Sequence, residues 1–83
     1  MDEAAKAMRA GEYETAASKA NAALKMDSKL TSAHKVLGVA YARLKRHCES
    51  KFHYQKYLAA NPNADNAPGV RKALEAKEYE GCP

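Results

Sequence analysis

Three histidines and two cysteines are the side chains of this 83-residue chain that could bind a metal ion or act as nucleophiles. The cysteines are far from a C-x-x-C pair, and no two histidines are four residues apart, the spacing that places two imidazoles on one helix face. His47 and His53 are six residues apart and therefore belong to different faces of a helix. We predict no metal site and no cofactor.

Catalysis would require a nucleophile next to an oriented base. Cys48 directly follows His47, and neighbours in sequence project about 100° apart on a helix, which is poor geometry for a thiolate–imidazole pair. No glycine-rich phosphate loop and no Ser/His/Asp pattern occurs. We therefore expect no enzyme activity, no catalytic residue and no small-molecule substrate.

The expected location is the cytoplasm. The N-terminus lacks the charged start and apolar core of a signal peptide, and the chain has no run of 18 apolar residues that could span a membrane. We accordingly expect no membrane association. Without a secretory signal, free thiols are expected at Cys48 and Cys82, rather than a disulfide.

Helical periodicity runs through the chain. In residues 31–62 the apolar side chains recur at i, i+3, i+4, i+7, i+8 and i+11: Ala33, Val36, Leu37, Ala40, Tyr41 and Leu44. A return helix is predicted over 47–60, ending before Asn61 and Pro62. Thr31 or Ser32 is predicted to cap the first of these two helices.

The flanking segments predict further helices. Two further helices, a shorter pair, are predicted over residues 2–10 and 12–26. Gly11 separates them, and glycine is common just after the end of a helix. A last helix is predicted to begin near Pro68, and residues 81–83 are expected to fray.

Residues 31–62 resemble a tetratricopeptide repeat, whose pattern is W-x2-L-G-x2-Y, then A-x3-F, then a closing proline. The matching residues are His34-x2-Leu37-Gly38-x2-Tyr41, followed by Ser50-x3-Tyr54, Tyr57 and Pro62. His34 stands at the tryptophan position and Ser50 at the alanine position. A glycine inside a helix lowers its stability relative to alanine, so Gly38 needs a structural reason. We predict that Tyr54 or Tyr57 of the return helix packs against its backbone.

These repeats recur about every 34 residues. Shifting the pattern back by that period places small residues at the packing positions: Ala4, Ala7, Ala16 and Ala20. Shifting it forward puts Lys72 and Glu75 at the positions of Gly38 and Tyr41, so the last segment reads as a cap. The predicted fold is all-α, with antiparallel helix hairpins stacked as a short TPR-like α-solenoid. Residues 1–83 form one domain, divided into a truncated repeat (1–30), a complete repeat (31–64) and a capping helix with its tail (65–83).

The resemblance implies a protein–protein interaction scaffold, because the first helices of successive repeats in that family line a concave peptide-binding groove. In this chain, the residues on the helix face opposite the core would line such a groove. They are Met8, Arg9, Lys35, Val39, Ala42 and Arg43, together with Met1 and Ala5. The basic residues at its edges imply an acidic, partly hydrophobic ligand. Some family members instead clamp chaperone carboxylates with lysine and amide side chains, but Ala5 and Val36 stand where amides are expected.

Nucleic acid is a weaker alternative. The formal net charge is +4, and the basic cluster at 43–47 is short and lacks interleaved aromatics.

Phe52 breaks the helical pattern, because it lies about 160° around its helix from Tyr54. With Cys48 and the stem of Lys56 it forms a predicted outward patch. A stack this short leaves surface uncovered, so we expect this patch to contact a second copy or another part of a longer chain.

Overall fold

The computed structural model describes residues 2–82, although not the side chain of Asp2. Within this range the chain folds into helices and turns without a strand. The elements are α1 (Asp2–Arg9), α2 (Tyr13–Met26), α3 (Thr31–Arg43), α4 (His47–Ala60), α5 (Ala67–Leu74) and a 3₁₀ turn (Lys77–Tyr79). The all-α prediction is confirmed. No helix within residues 2–82 is both long enough and apolar enough to cross a membrane.

Helices that follow one another along the chain pack together, and α1 also contacts α3. The core lies between α2 and α3, where the buried cluster consists of Ala17, Ala20, Ala33, Leu37, Ala40 and Tyr41. The apolar face predicted for α3 is therefore the face that the fold buries. Alanines line most of this core, so the helices approach each other closely and a side chain has little room to move.

The turn between α1 and α2 has the same backbone hydrogen bonds as the turn between α3 and α4. In the first turn, Gly11 N–H donates to the Met8 carbonyl (3.1 Å) and Glu12 N–H donates to the Ala7 carbonyl (2.8 Å). The second turn makes both bonds at the same lengths 34 residues later, with Lys45 in place of Gly11. These paired bonds form a Schellman motif, which requires a left-handed residue just after the helix.

Lys45 is held in that left-handed conformation at φ 63°, where Gly11 has φ 78°. A side chain with a Cβ is strained there, by roughly 1 kcal/mol. We expect Lys45→Gly to raise the free energy of unfolding by about 0.5–1 kcal/mol, measured by urea denaturation. Lys45→Ala removes the charge but keeps the Cβ, so it should leave the stability close to that of the wild type. Equal stability of the two variants would contradict the proposed strain.

Gly38 lies directly beneath the ring of Tyr54. A Cβ at this position would be only 2.6 Å from Cδ1 of that ring, which confirms the predicted aromatic contact and identifies Tyr54, not Tyr57, as the aromatic. Burial raises the pKa of Tyr54 above its usual value because the phenolate would lose hydration, with nearby Tyr79 as a further cause. Tyr57 is also buried, and its hydroxyl donates to Asn66 Oδ1 (2.7 Å) just before α5.

The C-terminal segment returns to α4, so the prediction that it frays is wrong for Gly81 and Cys82. Tyr79 is buried, and its hydroxyl lies 2.9 Å from Oγ of the fully buried Ser50. Ser50 in turn donates to the Gly38 carbonyl (2.6 Å). Ser50 thus joins α3, α4 and the 3₁₀ turn through buried hydrogen bonds. Pro83 lies outside the described residues.

Cys48 and Cys82 form a disulfide, so the prediction of free thiols is wrong. Their Cα atoms lie 5.2 Å apart, a separation that a disulfide spans without backbone movement. Lys51 Nζ also donates to the Cys82 carbonyl (3.3 Å). Helix α5 and the 3₁₀ turn bring the chain back along α4. This path places Cys82 next to Cys48, and the C-terminal segment is held against α4.

The predicted cap of α3 is also wrong. Leu30 precedes the first turn of α3, and no side chain caps it. The Ala33 N–H bonds instead to the Leu30 carbonyl (3.1 Å).

Candidate binding groove between α1 and α3

An open groove of about 450 Å³ runs between α1 and α3. Helix α2 packs against both of these helices and so holds them side by side. The lining residues are Ala5, Met8, Arg9, Ser32, Lys35, Val36 and Val39. Because this furrow is open rather than enclosed, it suits a few side chains of a peptide better than a small molecule that must be largely buried.

The floor of the groove is apolar and rigid. Ala5, Met8, Val36 and Val39 are half-buried, and Met8 and Val36 also pack against the core cluster. The small side chain of Ala5 leaves room above the floor. A hydrophobic side chain of a ligand could therefore be buried here without reorganisation of the helices.

The rim of the groove is cationic. Arg9 and Lys35 are exposed, and none of the described acidic side chains lines the groove. Among the described side chains, the ion pairs are Lys19–Glu3 (3.1 Å) and Arg46–Glu14 (3.5 Å), so neither rim cation is neutralised by a described acid. The pKa of Glu3, by contrast, is lowered by the hydrogen bond and charge of Lys19. The rim therefore favours a negatively charged ligand.

Five of the eight predicted lining residues meet in this groove: Ala5, Met8, Arg9, Lys35 and Val39. Ala42 and Arg43 do not line it, because it ends at Val39 on α3 and at Arg9, the last residue of α1. Met1 lies outside the described residues. Val36, which helical spacing assigned to the core face, lies at the edge that the core and the groove share.

His34 and His53 form a contact between α3 and α4 that sequence reasoning missed. Their Nδ1 atoms are 2.9 Å apart, so one ring donates to the other, and the two rings stack with centroids 5.2 Å apart. Burial, with the neighbouring His34 as a further cause, lowers the pKa of His53 to about 4. The His53 ring is thus neutral near pH 7. Within residues 2–82, no group of three or more His, Cys, Asp or Glu side chains is placed to hold a metal ion.

The basic cluster at 43–47 is partly engaged within the protein. Arg46 pairs with Glu14, and its guanidinium lies 5.9 Å from the centre of the Tyr41 ring. This side chain is therefore less available for a phosphate than the sequence suggested.

Cys48, Phe52 and Lys56 come together on α4 as predicted. Phe52 is 53% exposed, and Lys56 Nζ lies 5.4 Å from the centre of its ring. Cys48, Glu49 and His53 border the same shallow depression as Phe52. What this patch contacts stays a prediction.

The fold and groove define the class of this protein as an all-α domain with an apolar, cation-rimmed furrow. Comparison of the chain with protein-family models, curated proteins and solved structures finds no match.

Proposed function

We propose that this chain is a TPR-like protein–protein interaction module that binds an acidic, partly hydrophobic peptide segment between α1 and α3. The observation that carries the proposal is the combination of an apolar floor with two cations at the rim, Arg9 and Lys35. The floor would bury apolar side chains of the ligand, and the rim would select its charge. The proposed role is binding, without catalysis.

The repeat geometry supports the TPR-like part of the proposal. Helices α2 and α4 each contain 14 residues and begin 34 residues apart, at Tyr13 and His47. Both members of four equivalent pairs are buried: Ala4 and Gly38, Ala7 and Tyr41, Ala16 and Ser50, and Ala20 and Tyr54. The period of the turns, the helices and the buried positions is the period that TPR proteins have. In a TPR-like stack, α5 and the 3₁₀ turn would be the cap.

Binding of a chaperone carboxylate is the alternative within the same class. That mode uses amide and lysine side chains, whereas Ala5 and Val36 line the groove and no amide side chain of the described residues does so. A general acidic peptide is therefore the better ligand. Nucleic acid ranks lower still, because Arg46 of the basic cluster is paired with Glu14.

Reversing the charge of the rim is expected to remove binding. For Arg9→Glu with Lys35→Glu, we expect affinity for a fluorescein-labelled peptide of alternating glutamate and leucine to fall at least tenfold, or about 1.4 kcal/mol. Fluorescence anisotropy at fixed ionic strength measures this loss. Lys72→Glu with Lys77→Glu makes the same change in net charge outside the groove and should bind like the wild type.

Three further measurements separate the alternatives. An equal loss in both double variants would mean that net charge, and not the groove, attracts the peptide. Dependence on a free rather than amidated peptide C-terminus would favour the carboxylate clamp. Binding of a labelled oligonucleotide that weakens steeply with salt and shows no sequence preference would favour the nucleic-acid alternative.

The cytoplasmic location stays a prediction. The Cys48–Cys82 disulfide weighs against it, since such bonds persist mainly in oxidising compartments.

A further inference from the structure

The outer face of α4 carries a stripe of three exposed side chains, Glu49, Phe52 and Lys56. Their spacing of i, i+3 and i+7 places them on one side of the helix. Phe52 and Met26 are the large hydrophobic side chains that the described part of the protein leaves most exposed. None of the three stripe residues lines the groove between α1 and α3.

The two charges of this stripe are opposite in sign and lie on either side of the aromatic ring. At 1.5 Å of rise per residue, Glu49 lies about 4.5 Å before Phe52 and Lys56 about 6 Å after it along the helix axis. The only ion pairs among the described side chains lie elsewhere, so neither charge of the stripe is satisfied by such a pair within the chain. The stripe thus has one negative end, an apolar centre and one positive end.

A pattern of this kind is complementary to itself when reversed. A two-fold axis near Phe52 would place two α4 helices antiparallel, with each Glu49 opposite the Lys56 of the other copy. The two Phe52 rings would meet at the centre, where they would lose contact with water. A partner with a uniformly acidic or uniformly basic surface would repel one end of the stripe.

We propose that the stripe is a homodimer interface, in which a second copy of this chain packs its α4 antiparallel against the first. The contact is small, since one aromatic anchor and two ion pairs bury much less than the roughly 1,200 Å² of a stable interface. The dimer is therefore weak and forms at high protein concentration. It leaves the groove open, so dimerisation would present two grooves to a partner.

Sedimentation equilibrium of the full chain, up to about 1 mM, tests the proposal. The wild type is expected to dimerise, and Phe52→Ser to weaken the dimer at least tenfold. Glu49→Lys alone and Lys56→Glu alone should each weaken it, because each places like charges opposite one another. The double variant Glu49→Lys with Lys56→Glu should recover it.

Mixing the two single variants is the sharper test. In a mixed dimer both facing pairs become opposite in charge, so the equimolar mixture should dimerise more tightly than either variant alone. Glu75→Lys, an exposed charge reversal in the turn just after α5, should leave the wild-type dimer unchanged. A wild type that is monomeric at about 1 mM, or a mixture that associates no better than its components, overturns the proposal. Circular dichroism confirms that each variant remains helical, so a lost dimer cannot be mistaken for lost folding.

Discussion

Gly38→Leu is expected to lower the free energy of unfolding by about 2 kcal/mol or more. Even the first carbon of the new side chain would lie 2.6 Å from Tyr54 Cδ1 and 2.7 Å from Cε1, well inside van der Waals contact. Overpacking of this kind costs about 1–3 kcal/mol and occasionally more, whereas replacing a helical glycine gains roughly 1 kcal/mol. The clash should prevail because the Tyr54 ring is buried and cannot swing into solvent. Thermal and urea unfolding measure the loss.

Gly69 supplies a matched control for Gly38. It also lies within a helix, α5, but a Cβ there would meet no atom within 4 Å. Gly69→Leu should therefore be neutral or slightly stabilising. Gly38→Leu should cost much less in a Tyr54→Ala background, since the ring that causes the clash is gone. A Gly38→Leu protein that melts like the wild type would refute the packing assignment.

Removing the disulfide is expected to have the second large effect. It closes a loop of 34 residues between Cys48 and Cys82, for which chain entropy gives about 3–4 kcal/mol. Cys48→Ser with Cys82→Ser should accordingly lower the Tm by roughly 15–25 °C for a domain of this size. The expected cause is a higher conformational entropy of the unfolded chain without the cross-link. The hydrogen bond between Tyr79 and Ser50 should also break more easily.

Reduction of the wild type provides an independent comparison. A thiol reductant should lower the Tm of the wild type to about that of the double serine variant and leave the variant itself unaffected. Tyr79→Phe keeps the ring in place but removes the hydroxyl that lies 2.9 Å from Ser50 Oγ, so it reports the hydrogen bond separately, at about 1 kcal/mol. If the reduced and oxidised wild type melt at the same temperature, the disulfide does not stabilise the fold.

The groove was predictable in part. Helical phase grouped Ala5, Met8, Arg9, Lys35 and Val39, which all line the groove, because these residues repeat at helical spacing on α1 and α3. The same phase extended the surface to Ala42 and Arg43, which lie beyond the end of the groove. Phase gives a direction around a helix, whereas the length of a groove depends on where two helices run side by side.

The sequence alone determined the helices and the presence of an aromatic ring against Gly38, although only the structure identified that ring as Tyr54. Both follow from local spacing: apolar residues at helical period define the buried face, and a glycine inside that face indicates a close neighbour. The tertiary structure alone decided the links between distant residues, which include His34 with His53, Ser50 with Tyr79, and Cys48 with Cys82. These partners are separated by 19, 29 and 34 residues. Such contacts depend on the angles and turns that bring whole helices together, and no short-range pattern contains that information.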